Sequence, residues 1–150
     1  DTGWTIAGIV SSQCGIPLKP LGLFNENKIG EATYQFMPKA ICLGDILHEQ
    51  GYRSIFLGGA SRRFSGKLSF LQTHGYDEVY GRRQFREMQP SIPINDWGIY
   101  DDALFEFAKQ QQEVYCRHLN QTIDCNVRIG TDHRLEVQII QSHSRGNYLS

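Results

Sequence analysis

Between residues 40 and 59 an apolar-periodic stretch, a glycine, a short apolar run and a glycine pair follow one another, and this order limits the fold most. From Ala40 to Gln50 the residues Ile41, Leu43, Ile46 and Leu47 recur at helical spacing, and Gly51 supplies a C-terminal stop. Asp45, His48 and Glu49 are then expected to face outward, with His48 a solvated side chain. Arg53-Ser54-Ile55-Phe56-Leu57 reads as a short buried strand that ends in Gly58-Gly59. Helix, turn, strand and glycine-rich loop in that order is α/β grammar. It sets the loop at the C-terminal edge of a strand, where ligands collect in such folds.

A second informative stretch runs from Gly3 to Leu18. It opens with turn formers, presents a hydroxyl at Thr5, and continues through small and apolar residues that suit a helix packed on a sheet. Cys14-Gly15 and Pro17 close it, since Gly suits a helix C-terminus and Pro does not extend one. A hydroxyl at a helix start sits among unpaired backbone N–H groups and the positive end of the helix dipole. Thr5 therefore reads in two ways. It is an N-cap, the ordinary use of such a threonine, or a nucleophile whose attacked phosphoryl group is cradled by backbone donors.

The loop from Gly58 to Lys67 carries Arg62, Arg63 and Lys67. Cations beside glycines suit phosphate or another anion, and a solvated basic patch is the plain alternative. Residues 15–38 hold Pro17, Pro20, Gly22, Gly30 and Pro38 and read as one long irregular loop. Leu68 to His74 reads as a short helix stopped by Gly75, Tyr76 to Tyr80 as a brief strand, and Arg82 to Pro93 as loop. Asn95-Asp96-Trp97-Gly98 supplies a turn before a helix striped by Ala103, Leu104, Phe107 and Ala108. Asp101 and Asp102 favour that helix's dipole rather than a metal. Trp97 reads equally as a core residue or a substrate-stacking one.

Four stretches, in order, carry a family resemblance: Thr5 to Leu18; Ile41-Cys42-Leu43-Gly44-Asp45-Ile46-Leu47; Gly58-Gly59-Ala60 with Arg63-Phe64-Ser65-Gly66-Lys67; and Asn95-Asp96-Trp97-Gly98-Ile99-Tyr100-Asp101-Asp102. Together they resemble the periplasmic phosphoglycerol transferases that decorate osmoregulated glucans. Those enzymes belong with the lipoteichoic acid synthases and sulfatases in the alkaline phosphatase-like superfamily. The resemblance covers residues 1–110. It implies the N-terminal part of a three-layer α/β sandwich, with Thr5 as nucleophile and metal ligand and with Arg63, Lys67 and Trp97 binding substrate. Phe64 stands where the synthases carry an aromatic residue, but Gly66 occupies the place of an expected arginine.

What the family does is implied in the same way. A phosphatidylglycerol-type lipid donates phosphoglycerol to Thr5, and a hydroxyl of a periplasmic glucan receives it, on the periplasmic face of the bacterial inner membrane. The parent enzyme is membrane-anchored and uses a divalent metal ion (manganese, magnesium or zinc). Its remaining ligands come from an acidic residue expected ahead of Asp1 and a downstream Asp-His pair, so this chain alone is expected to be inactive. Asp132-His133 follows Asn126 to Gly130 rather than a long apolar strand, and is not assigned to that pair. Cys14 and Cys42 both recur in the family's blocks, which implies a disulfide between them. In the chain-entropy picture, closing that loop contributes about 3.5 kcal/mol.

Composition sets the outer bounds. The chain has 150 residues, of which 40% are hydrophobic and 21% charged, as in ordinary soluble globular domains. A net charge of −1 gives no bulk attraction to nucleic acid or an anionic membrane. No apolar run is long enough to span a bilayer, and the sequence starts at Asp1 rather than Met. Cys116 and Cys125 are too widely spaced for a metal knuckle. After Gln112 the family pattern stops. The expected organisation is a partial catalytic domain over 1–112 and a divergent or poorly ordered tail over 113–150, in which Leu135, Val137 and Ile139 allow one half-buried strand. Two other classes stand beside the transferase: a related sulfatase or phosphodiesterase hydrolase, and a non-catalytic, disulfide-stapled module binding glycan or anions through Arg63, Lys67 and Trp97. Those sulfatases use a Cys or Ser nucleophile, which Thr5 argues against.

Overall fold

Strand β1 (Tyr52–Gly58) organises the molecule because its apolar residues are buried on both faces. Phe56 packs with Ile6, Ile9 and Val10 of helix α1 (Thr5–Cys14) and with Phe70 and Leu71 of helix α4 (Lys67–Thr73). Its neighbours Ile55 and Leu57 point the other way. They join Phe85 of α5 (Arg82–Met88) and Leu104, Phe107 and Ala108 of α6 (Asp101–His118). A strand covered on both sides reads as an unbroken apolar run, as Ile55-Phe56-Leu57 does. The result is three layers, with helices on either face of a sheet.

The computed structural model describes residues 5–19, 26–118, 126–129 and 136–142. Its other elements are α2 (Glu26–Ala32), α3 (Leu43–Glu49), a 3-10 turn over Phe64–Gly66, β2 (Glu78–Tyr80), β3 (Asn126–Ile129) and β4 (Glu136–Ser142). The strand order is β2-β1-β4-β3. β1 and β2 run parallel, with Ile55 opposite Glu78 and Leu57 opposite Tyr80, and α4 forms the crossover between them. β4 lies antiparallel to β1, pairing Tyr52 with Ser142 and Gly58 with Glu136, and antiparallel to β3.

Several elements differ from the sequence expectation, each for a physical reason. The expected long loop of 15–38 contains α2, which tertiary contact supports. A Cβ on Gly30 would stand 2.4 Å from the Ser65 carbonyl oxygen, so only glycine lets that helix approach the 3-10 turn. The expected loop after Arg82 is the helix α5. Gln84 Oε1 accepts the Gly81 N–H at 3.1 Å at its start, and Phe85 anchors it in the core. Helix α3 starts later than expected, so Ile41 lies outside it and is 76% exposed. Asp45, expected to face outward, instead accepts the Cys42 N–H at 2.8 Å at the start of α3. Helix α6 continues past residue 112 to His118, and the sheet takes in two stretches of the polar tail as β3 and β4.

Candidate functional site

Thr5 is the first residue of α1 and is half-buried. Ile6, Ala7, Ile9 and Val10 are buried behind it and fix that helix against the sheet. Its first-turn N–H groups have no partner within the helix, which is what a helix N-terminus offers an anion. The body of α1 packs against the 3-10 turn at Phe64–Gly66, inside the cationic loop that follows β1. The Thr5 helix and the Gly58–Lys67 loop are thus neighbours.

A second segment is seated on the end of β1. The Ile99 N–H donates to the Gly59 carbonyl at 3.0 Å. Gly98 has φ +149°, and a Cβ there would lie 2.1 Å from the Gly59 oxygen. Only glycine permits this approach. Asn95 Oδ1 accepts the N–H groups of Trp97 at 2.9 Å and Gly98 at 3.0 Å, which closes the turn. Trp97 is 70% exposed on that turn, so it is not a core residue. The Trp97 turn and the Gly58–Lys67 loop meet at Gly59.

The cations separate. Arg62 Nη1 donates to the Val79 carbonyl at 3.0 Å, and the Arg62 carbonyl accepts the Leu68 N–H at 2.8 Å, which ties the loop to β2 and α4. Arg63 is exposed, with its N–H directed to Ser61 Oγ at 3.3 Å. Lys67, by contrast, is 1% exposed at the first position of α4. Of the two cations that the resemblance assigns to substrate, Arg63 faces solvent and Lys67 lies in the interior. Asp101 and Asp102 are exposed at the start of α6, with Asp102 Oδ1 accepting the Ala103 N–H at 2.8 Å. Asp132 and His133 lie outside the described residues, as do Gly3 and Trp4.

The described residues do not assemble a divalent-cation site at Thr5. Among them, the one group of His, Cys, Asp or Glu side chains close enough to share an ion is Cys14, Cys42 and His74. Cys14 ends α1, opposite Thr5, and is disulfide-bonded to Cys42 with Cα atoms 4.1 Å apart. Beside the disulfide, buried His74 places Nδ1 2.8 Å from Asp45 Oδ2 and Nε2 2.9 Å from the Phe36 carbonyl oxygen. The disulfide is the one the family resemblance implied; sequence reasoning missed the His74–Asp45 pair beside it. For Asp45 the one signal was its spacing from Cys42, which fits a residue reaching back to cap its own helix; nothing local marks His74.

Comparison with known proteins matches the chain to the Sulfatase family over residues 8–115. It is 44% identical over 119 residues to proteins named phosphoglycerol transferase I from Salmonella paratyphi B and Salmonella newport. The alignment takes in 77% of this chain and 15% of those relatives, so the chain spans a small part of their length. Among solved structures, a protein of the alkaline phosphatase superfamily from Vibrio parahaemolyticus superposes with a TM-score of 0.56 at 22% identity. That superposition covers 76% of this chain and 26% of the other, and the likeness is one of fold.

Proposed function

Because the chain belongs to the sulfatase family, we propose that it is the Thr5-bearing part of a phosphoglycerol transferase, and that Thr5 carries the group in transit. The observation behind this reading is the position of Thr5 as the first residue of α1, on a helix packed against the turn of a cationic loop. The relatives at 44% identity are named phosphoglycerol transferase I, which favours transfer over hydrolysis.

In the proposed reaction, Thr5 Oγ attacks the phosphorus of a phosphatidylglycerol-type lipid. The bond from phosphorus to the diacylglycerol oxygen breaks, and that oxygen leaves with a proton. Phosphoglycerol is then esterified to Thr5. A glucan hydroxyl attacks the same phosphorus, the bond to Thr5 breaks, and Thr5 regains its proton. Backbone N–H groups at the start of α1 hold the phosphoryl oxygens through both steps. Arg63 is the solvent-facing cation for the anionic head group, and Trp97 offers an exposed ring on a fixed turn. Lys67, buried at the start of α4, is the second basic residue proposed for substrate.

Thr5 is also proposed as one ligand of the divalent ion (manganese, magnesium or zinc) of the intact domain, with the other ligands contributed from beyond the described residues. Action at the periplasmic face of the bacterial inner membrane belongs to the same proposal. No helix among the described residues is long and apolar enough to cross a membrane. The test uses the intact parent with donor lipid labelled in its head-group glycerol. Label appearing on glucan supports transfer; label appearing as free glycerophosphate, with none on glucan, indicates a hydrolase.

A further inference from the structure

We infer that Cys14, Cys42 and His74 form a second site, gated by redox state, in which opening the disulfide creates a two-thiolate, one-imidazole site for a zinc-type divalent cation. The ligand atoms of these three residues lie within 4.8 Å of one another. Around a tetrahedral zinc ion with Zn–S bonds of about 2.3 Å, two sulfurs stand about 3.8 Å apart, and a sulfur and a nitrogen about 3.5 Å. Opening the S–S bond lets the sulfurs move apart toward that separation, and the imidazole already stands within 4.8 Å of both. Two thiolates with an imidazole select a borderline-soft ion such as zinc over magnesium or calcium, which take oxygen ligands.

The surroundings are those of a built site. His74 and Cys42 are each 1% exposed, while half-buried Cys14 gives the cluster its path to solvent. A carbonyl oxygen only accepts, so His74 Nε2 carries the proton that meets Phe36 at 2.9 Å. That bond fixes the ring, while Nδ1 faces the Asp45 carboxylate, also an acceptor, at 2.8 Å, so an ion at Nδ1 takes the place of the proton held there. The Asp45 carboxylate, 2.8 Å from Nδ1 and anchored by the Cys42 N–H, lies outside the three-residue group and serves as the acceptor beside the ring. The ten residues of α1 separate this cluster from Thr5 by about 14 Å along the helix axis, so the site is distinct from the proposed transfer chemistry.

The chemistry balances with a dithiol as reductant. The S–S bond breaks, two electrons come from the dithiol, which leaves as its own disulfide, and Cys14 and Cys42 each gain a proton. Zinc binding then releases those two protons, and the proton between His74 Nδ1 and Asp45, to solvent as two Zn–S bonds and one Zn–N bond form.

The experiment uses the whole 150-residue chain carrying Cys116→Ser and Cys125→Ser, which leaves Cys14 and Cys42 as its two cysteines. Oxidised and dithiol-reduced samples, freed of reductant, are incubated with Zn2+, desalted and assayed for metal. The expected result is about one zinc per reduced chain, and about tenfold less on the oxidised chain. Co2+ in place of zinc should give the reduced chain visible d–d bands and a thiolate charge-transfer band. His74→Gln should weaken cobalt binding about tenfold or more. Should that variant not fold, Cys14→Ser at the half-buried position reads out the same loss. The inference is overturned if the reduced chain takes up no metal, if the oxidised chain takes up as much, or if Cys14→Ser leaves binding unchanged.

Discussion

The Asp45 carboxylate oxygen that accepts the Cys42 N–H at 2.8 Å is the same oxygen that meets His74 Nδ1 at 2.8 Å. One side chain therefore starts α3, braces the disulfide at Cys42 and engages an imidazole on the residue that ends α4. His74 passes the connection on to the Phe36 carbonyl, so four separate segments meet around a single carboxylate. Asp45→Ala should cost about 1–3 kcal/mol, because it leaves a buried imidazole nitrogen and a backbone N–H without their acceptor. Urea unfolding of the oxidised chain measures this. A change within about 0.5 kcal/mol, the range of ordinary surface substitutions, would contradict the bracing role.

The seating of the Trp97 turn on β1 makes a sharp prediction at Gly98. Gly98→Ala should destabilise the chain by about 1–3 kcal/mol or more, since an added Cβ would meet the Gly59 oxygen in a backbone conformation L-residues avoid. Gly15→Ala is the matched control: its φ is +68°, but a Cβ there meets nothing within 4 Å. It should cost only about 1 kcal/mol of left-handed backbone penalty. Equal losses at the two positions would mean that the close approach at Gly59 is not a constraint.

We propose that the chain divides into a catalytic part over 1–112 and a tail over 113–150, and limited proteolysis tests the division. On this reading the first cuts fall after residue 112 and residues 1–110 stay protected. The seven-residue ladder between β1 and β4 offers the opposing outcome. If Glu136–Ser142 is protected to the same degree as Tyr52–Gly58, the tail is part of the domain and the division fails.

Much of the fold was legible because its signals are local. Ile55-Phe56-Leu57 read as a buried strand, and Leu104, Phe107 and Ala108 marked the buried stripe of α6. The helices α2 and α5 were not legible, since each is held by something distant. Gly30 fits against Ser65, and Phe85 is a single apolar anchor in a charged run. The cationic loop shows the same limit at the site. Arg62, Arg63 and Lys67 look equivalent in sequence, yet one holds β2, one faces solvent and one is interior. Burial of a lysine is a tertiary outcome with no local signature. His74 lies 29 positions from Asp45, and periodicity carries no trace of their pairing.

Thr5 bears the central claim, and transfer by the full-length parent enzyme tests it. With labelled donor lipid and purified glucan, Thr5→Ala should lose phosphoglycerol transfer while the domain stays folded, because alanine suits the first helical position and the cost is about 1 kcal/mol or less. Thr5→Ser should keep measurable transfer, since it retains a hydroxyl. A folded Thr5→Ala enzyme that transfers phosphoglycerol at the wild-type rate would contradict the account and leave Thr5 as an ordinary first-turn residue of α1.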